Sequence, residues 1–149
     1  MAEVMFYHLE RQPLETVLPV LLEKTLERGW RAVVQAGSPE RVEALDSTLW
    51  TYREDSFLPH GTAKDGAAAR HPIFLTAVDE NPNAATVRFL VDGADATDFE
   101  RYTRIIHLFD GRDEEAVARA RTAWKHAKAA DCAVTYWQQT PAGKWEKKG

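Results

Sequence analysis

One cysteine, Cys132, and two methionines are all the sulfur this 149-residue chain contains. A lone thiol forms no internal disulfide and assembles no thiolate zinc cluster, so a cytoplasmic address is expected. No apolar run approaches the length of a membrane-spanning helix. The opening Met1-Ala2-Glu3-Val4 lacks the basic-then-apolar order of a signal peptide, so neither secretion nor membrane anchoring is expected. Basic charge is not in excess either. Nineteen Lys and Arg against 23 Asp and Glu leave a formal charge of -4, which argues against a surface built mainly to neutralise phosphates. What is present is ordinary for a folded protein: 44% apolar and 28% charged residues, enough for one domain over residues 1–149 to bury its own core.

Equipment for catalysis is also sparse. His8, His60, His71, His107 and His126 are scattered, and none stands at metal-ligand spacing with a carboxylate on one helix face. The interval from Gly61 to Gly66 imitates a phosphate loop, but Ala67 and Ala68 occupy the places of the lysine and hydroxyl residue that would hold phosphate and magnesium. Asp92, Asp95 and Asp98 lack the alternating ligands, central glycine and terminal glutamate of a calcium loop, so turn and cap roles explain them better. No glycine fingerprint for a dinucleotide follows the first strand, and no serine sits in a nucleophile elbow. No carboxylate pair is placed for metal-assisted nucleotidyl transfer. Neither a metal nor a cofactor is expected.

The order of elements is clearer. Residues 4–9 read as a strand, and Leu14, Val17, Leu18, Leu21, Leu22 and Thr25 close one face of a helix that Gly29 ends. Residues 31–36 read as a second buried strand, and Ser38 with Pro39 opens a helix through Val42, Leu45 and Leu49. Charges, Gly61, Gly66 and an Ala triplet make residues 53–71 a mobile surface loop. Strands follow at 72–78, 86–92 and 103–109, with a turn at Asn81-Pro82-Asn83 and a short helical stretch at 97–100. A long helix over 113–130 leads to a strand over 132–138, which Pro141-Ala142-Gly143 turns back toward Trp145. Successive βα units favour parallel pairing, so the expected class is α/β: a three-layer, Rossmann-like, mostly parallel sheet flanked by helices, with no dinucleotide site.

Two clusters set large aromatics beside polar or basic groups, as protein-binding anchors do. At ~100° per residue, Ala116, Ala120, Ala123 and Ala127 share one face of the long helix. Val117, Arg121, Trp124, Lys125 and Lys128 share a neighbouring stripe. An arginine there can fork onto a carboxylate, a lysine adds a point charge, and the indole can cover an apolar side chain, so a short acidic peptide with a hydrophobic end would fit. A solvated helix face with a half-buried tryptophan would give the same spacing. The second cluster is Trp50 with Phe57, Leu58, Pro59 and His60. Inward packing of these aromatics and docking of a partner both suit it, the latter favoured by the adjoining polar loop.

Phe6-Tyr7-His8-Leu9, Leu45-Asp46 leading to Leu49-Trp50, Ser56-Phe57-Leu58-Pro59-His60, Arg121 with Trp124-Lys125, Tyr136-Trp137 and Gly143-Lys144-Trp145 together resemble the chi subunit of bacterial DNA polymerase III. The resemblance runs nearly end to end. It implies a noncatalytic replicase accessory, monomeric or heterodimeric, that contacts DNA indirectly. One implied partner is the acidic, hydrophobic-ended C-terminal tail of single-stranded DNA-binding protein, held at Arg121, Trp124 and Lys125. Lys128 and Val117 join that stripe by helical geometry alone. The other implied partner is the psi subunit of the clamp-loader complex, or alternatively a repair helicase, at Trp50 and Phe57 with the adjoining Leu58, Pro59 and His60. Two other readings remain: a small nucleotide-binding enzyme on the same fold, and direct single-stranded DNA binding through Trp50, Trp124 and the lysines, which the acidic balance disfavours.

Overall fold

A computed structural model describes residues 2–51, 58–94 and 99–148 of the chain. β1 (Glu3–Leu9) is apolar on both faces because it runs through the middle of the sheet: Met5, Tyr7 and Leu9 enter one core, Val4 and Phe6 the other. α1 (Leu14–Glu27) turns Val17, Leu18, Leu21, Leu22 and Thr25 inward and gives way to Gly29, whose φ of 77° only glycine adopts without strain. β2 (Ala32–Gln35) and α2 (Pro39–Thr51) repeat the pattern, with Val42, Leu45 and Leu49 as the buried face of the helix.

The remaining elements are β3 (His60–Thr62), β4 (Ile73–Thr76), β5 (Val87–Leu90), β6 (Arg104–Asp110), α3 (Glu114–Ala129), β7 (Ala133–Gln139) and β8 (Trp145–Lys147). They form one eight-stranded sheet in the order β3-β4-β2-β5-β6-β1-β7-β8, parallel except for β8, which pairs antiparallel with β7. This is the α/β architecture expected from the sequence. The chain travels through α1 and α2 toward the β3 edge and returns through α3 toward the β8 edge. Right-handed crossovers running in opposite directions put helices on opposite faces. Accordingly, α1 and α2 contribute to the core around Met5, Val34, Leu75 and Phe89, while Ala123 and Ala127 of α3 contribute to the core around Phe6, Val33, Phe74 and Ile105. Each fully buried side chain of this kind contributes roughly 1.5–3 kcal/mol.

One expectation is corrected. Residues 60–62, placed in a surface loop, are a buried edge strand, and single 3-10 turns over Ala63–Asp65 and Ala68–Arg70 follow it. Pairing with β4 in the register His60↔Ile73 to Thr62↔Leu75 supplies the order that local sequence does not signal. The expected helical stretch at 97–100 lies partly outside the described residues, and a 3-10 turn occupies Phe99–Arg101.

Candidate protein-binding surfaces

α3 begins at Asp113, whose carboxylate accepts from the Glu115 and Ala116 backbone N–H groups, and Glu114 and Glu115 complement the positive helix start. Ala123 and Ala127 are buried and Ala116 and Ala120 partly so, which lets the helix lie close to the sheet. That closeness brings the half-buried Trp124 against Phe6, with ring centroids 5.3 Å apart at 52°. The Lys128 ammonium stands 5.6 Å from the centroid of the indole, within cation–π range. Arg121, Lys125 and Lys128 are exposed, and Val117 is half-buried beside them. Among the described residues, neither Arg121 nor Lys125 makes an ion pair. The stripe read from helical spacing is therefore a solvent-facing ledge of cations beside an indole.

Its opposite wall comes from residues the sequence did not single out for this surface. Tyr136 on β7 meets Trp124 edge-on, with ring centroids 6.4 Å apart at 74°, and its hydroxyl contacts His8 Nδ1 across β1. Burial pushes the Tyr136 phenol above its usual pKa, while a hydrogen bond from the Gln138 side chain and the positive charge of Arg121 act in the opposite direction. Arg121 thus acts electrostatically on the β7 side of the helix. The backbone N–H of Lys148 donates to the Tyr136 carbonyl at 2.6 Å, and antiparallel partners share a sheet face, so Lys148 stands beside Tyr136. The Lys148 ammonium lies 3.5 Å from Glu146, with both side chains about half exposed. At the near end, a Cβ on Gly111 would fall 1.7 Å from His8 Nε2, so the turn after β6 admits His8 only with glycine there. Strand alternation through Val134, Tyr136 and Gln138 was the available signal for this wall.

The second cluster divides. Trp50, at the end of α2, is 55% exposed, and Pro59 is half-buried. Leu58 is only 2% exposed and the His60 side chain 0%, so both lie beneath this surface rather than on it. Phe57 lies outside the described residues. His60 Nδ1 donates to the Leu58 carbonyl at 2.6 Å, its Nε2 sits 2.9 Å from Asp46 Oδ1, and its ring lies 4.8 Å from the Trp50 ring at 56°. Asp46 is the residue here whose role the sequence did not reveal.

A third location is set by topology. β1 and β6 are neighbours whose chains leave for opposite faces, and a cleft of about 660 Å³ opens at their C-terminal ends between the starts of α1 and α3. In open α/β sheets this switch point is where nucleotides and other ligands settle. Carboxylates engage part of its lining: Asp113 caps α3, and Asp92 and Glu15 lie 3.0 and 3.8 Å from the Arg41 guanidinium, while Arg112 and Arg119 line it too. The Asp92 hydrogen bond raises the Arg41 pKa further. Among the described residues no group of three or more His, Cys, Asp or Glu is placed to hold a metal ion; Asp95 and Asp98 lie outside them. No described helix is long and apolar enough to cross a membrane.

The model of the DNA polymerase III chi subunit family, HolC, matches residues 1–135. A protein of Rickettsia prowazekii (strain Madrid E) named a probable DNA polymerase III subunit chi is 26% identical over 156 positions, spanning 99% of this chain and 92% of that protein.

Proposed function

Since the chain belongs to the DNA polymerase III chi subunit family, an accessory subunit family of the replicase, we propose that it is a noncatalytic adaptor holding two protein partners at opposite sides of one sheet. The first is the acidic C-terminal tail of single-stranded DNA-binding protein. The observation that carries this reading is the α3 ledge: Arg121 and Lys125 exposed and without ion pairs among the described residues, beside the half-buried Trp124. Tail carboxylates would fork onto Arg121 and approach Lys125, while Trp124 with Val117 would cover the terminal apolar side chain. Tyr136 would close the far wall, and Lys128 would extend the basic field. The grip is electrostatic at its rim, so it weakens as salt rises.

The second partner is the psi subunit of the clamp-loader complex, or a repair helicase in its place, docking where Trp50 projects from α2 with Pro59 beside it and Leu58 and His60 as the floor. A tryptophan exposed at a helix end is the kind of side chain that anchors interfaces. Contact with DNA is then indirect. Asp113 at the α3 start and Asp92 against Arg41 disfavour a phosphate at those two groups of the β1–β6 cleft, in keeping with a noncatalytic role. The single continuous sheet supports reading residues 1–149 as one domain.

The test is a fluorescence-anisotropy titration with a labelled acidic tail peptide. Arg121→Ala removes a charge-assisted contact and is expected to weaken binding about 10-fold or more while leaving the melting temperature near that of the parent. Unchanged affinity would overturn the tail-binding reading. A gel shift comparing bare oligonucleotide with oligonucleotide coated by its binding protein distinguishes indirect from direct DNA contact: retention by the coated form alone is expected.

A further inference from the structure

The junction of α2 and β3 contains a fully buried histidine at the end of a run expected to face a partner. His60 belongs to Leu58-Pro59-His60, yet its side chain is 0% exposed. Among the described residues, three groups meet it. The Leu58 carbonyl, 2.6 Å from Nδ1, can only accept, so Nδ1 carries a proton and donates. Asp46 Oδ1 lies 2.9 Å from Nε2, off the hydrogen-bonding direction, and attracts the ring when Nε2 carries a proton as well. The third group is the Trp50 indole.

Asp46 and Trp50 are four residues apart on α2, one above the other on the same helix face, and the His60 ring spans them from β3. The outer tryptophan is thereby packed against a strand residue whose ring is hydrogen-bonded through Nδ1 and stands close to Asp46 at Nε2. A large side chain exposed at a helix end loses conformational freedom when a partner immobilises it, and a ring packed against it reduces that loss in advance.

We propose that His60 is a positioning residue: with Asp46 and the Leu58 carbonyl it forms a clasp that presents the Trp50 indole and the Leu58-Pro59 step together to an apolar segment of a protein partner. The proposal rests on the reading of the Trp50 face as a docking surface. Asp46→Asn and His60→Phe dismantle the clasp without touching the indole, the second keeping a ring but no nitrogen.

The experiment uses the full chain, purified psi subunit as the probe, and two readouts: calorimetric affinity, and the indole N–H resonance of Trp50 assigned through Trp50→Phe. Both clasp variants are expected to shift and broaden the Trp50 resonance, leave the other four tryptophans in place, and weaken psi binding about 3- to 10-fold, the range for freeing one large side chain. Affinity for the tail peptide should not change. If the clasp variants keep both the Trp50 resonance and the psi affinity of the parent while Trp50→Ala loses binding, the clasp is overturned and the docking surface stands. If Trp50→Ala itself binds psi normally, the docking surface fails and the clasp with it. Should His60→Phe not fold, Asp46→Asn decides alone, since the Asp46 side chain is 30% exposed and tolerates the change.

Discussion

At the scale of single residues, Arg88 carries a charge into the centre of the sheet and is the largest fully buried side chain among the described residues. It is 0% exposed. Its guanidinium donates to the Tyr102 hydroxyl at 2.7 Å, to the Glu80 carbonyl at 3.0 Å and to the Gln35 side chain, and lies 3.2 Å from Asp79. Five N–H donors in a planar fork meet acceptors from β2, the segment after β4 and the turn before β6, so one side chain cross-links three parts of the chain. Arg88→Ala removes the donor shared by Gln35, the Tyr102 hydroxyl and the Glu80 carbonyl, and urea denaturation is expected to show a loss of about 3–5 kcal/mol. Tyr102→Phe removes one arm of the network and should cost about 1–1.5 kcal/mol. A loss for Arg88→Ala below that for Tyr102→Phe would mean the fork is not holding these segments.

At the scale of elements, α3 illustrates how capping and recognition separate along one helix. Asp113→Ala removes the cap at its start and should lower stability by about 1 kcal/mol. Arg121 lies eight residues further on, roughly 12 Å along the axis at ~1.5 Å per residue. Tail affinity in the anisotropy titration should therefore stay within about twofold of the parent, and a larger loss would tie the cap to the ledge. The register of Arg121, Trp124, Lys125 and Lys128 was legible in the sequence because helical spacing is local, as were β1, β2 and β4 to β6, whose apolar runs announce buried strands, and the half-buried β7. β3 was not legible: His60-Gly61-Thr62 holds one β-branched residue and a glycine, and it is a strand because β4 offers it an edge. Nor was the far wall of the ledge, since Tyr136, His8 and Lys148 meet only when β1, β7 and β8 align. The burial of His60 was hidden for the same reason, its partners being a helix residue fourteen positions earlier and a carbonyl two positions before it.

For the molecule as a whole, the decisive quantity is the separation of the two surfaces. Trp50 sits near β3 on the face that carries α1 and α2, while the ledge sits over β1 and β7 on the face that carries α3. Five inter-strand spacings of ~4.8 Å put β3 and β1 about 24 Å apart, and the two surfaces lie on opposite faces as well. Charges that far apart in solvent are separated by about three Debye lengths at physiological salt, so they influence each other little. The parallel strands between them are packed on both faces, and no element described here connects the sites by two alternative arrangements, which coupling would require. A tail peptide and psi should therefore bind together and independently. The affinity of the tail peptide at saturating psi is expected to equal its affinity for the chain alone within about twofold, in the same titration. Raising salt from ~50 to ~200 mM should weaken the tail at its exposed cations and leave psi, anchored by an indole, nearly unchanged. Competition between the two ligands, or a matching salt response, would mean that one surface serves both partners, and an adaptor with a single docking surface cannot bridge anything.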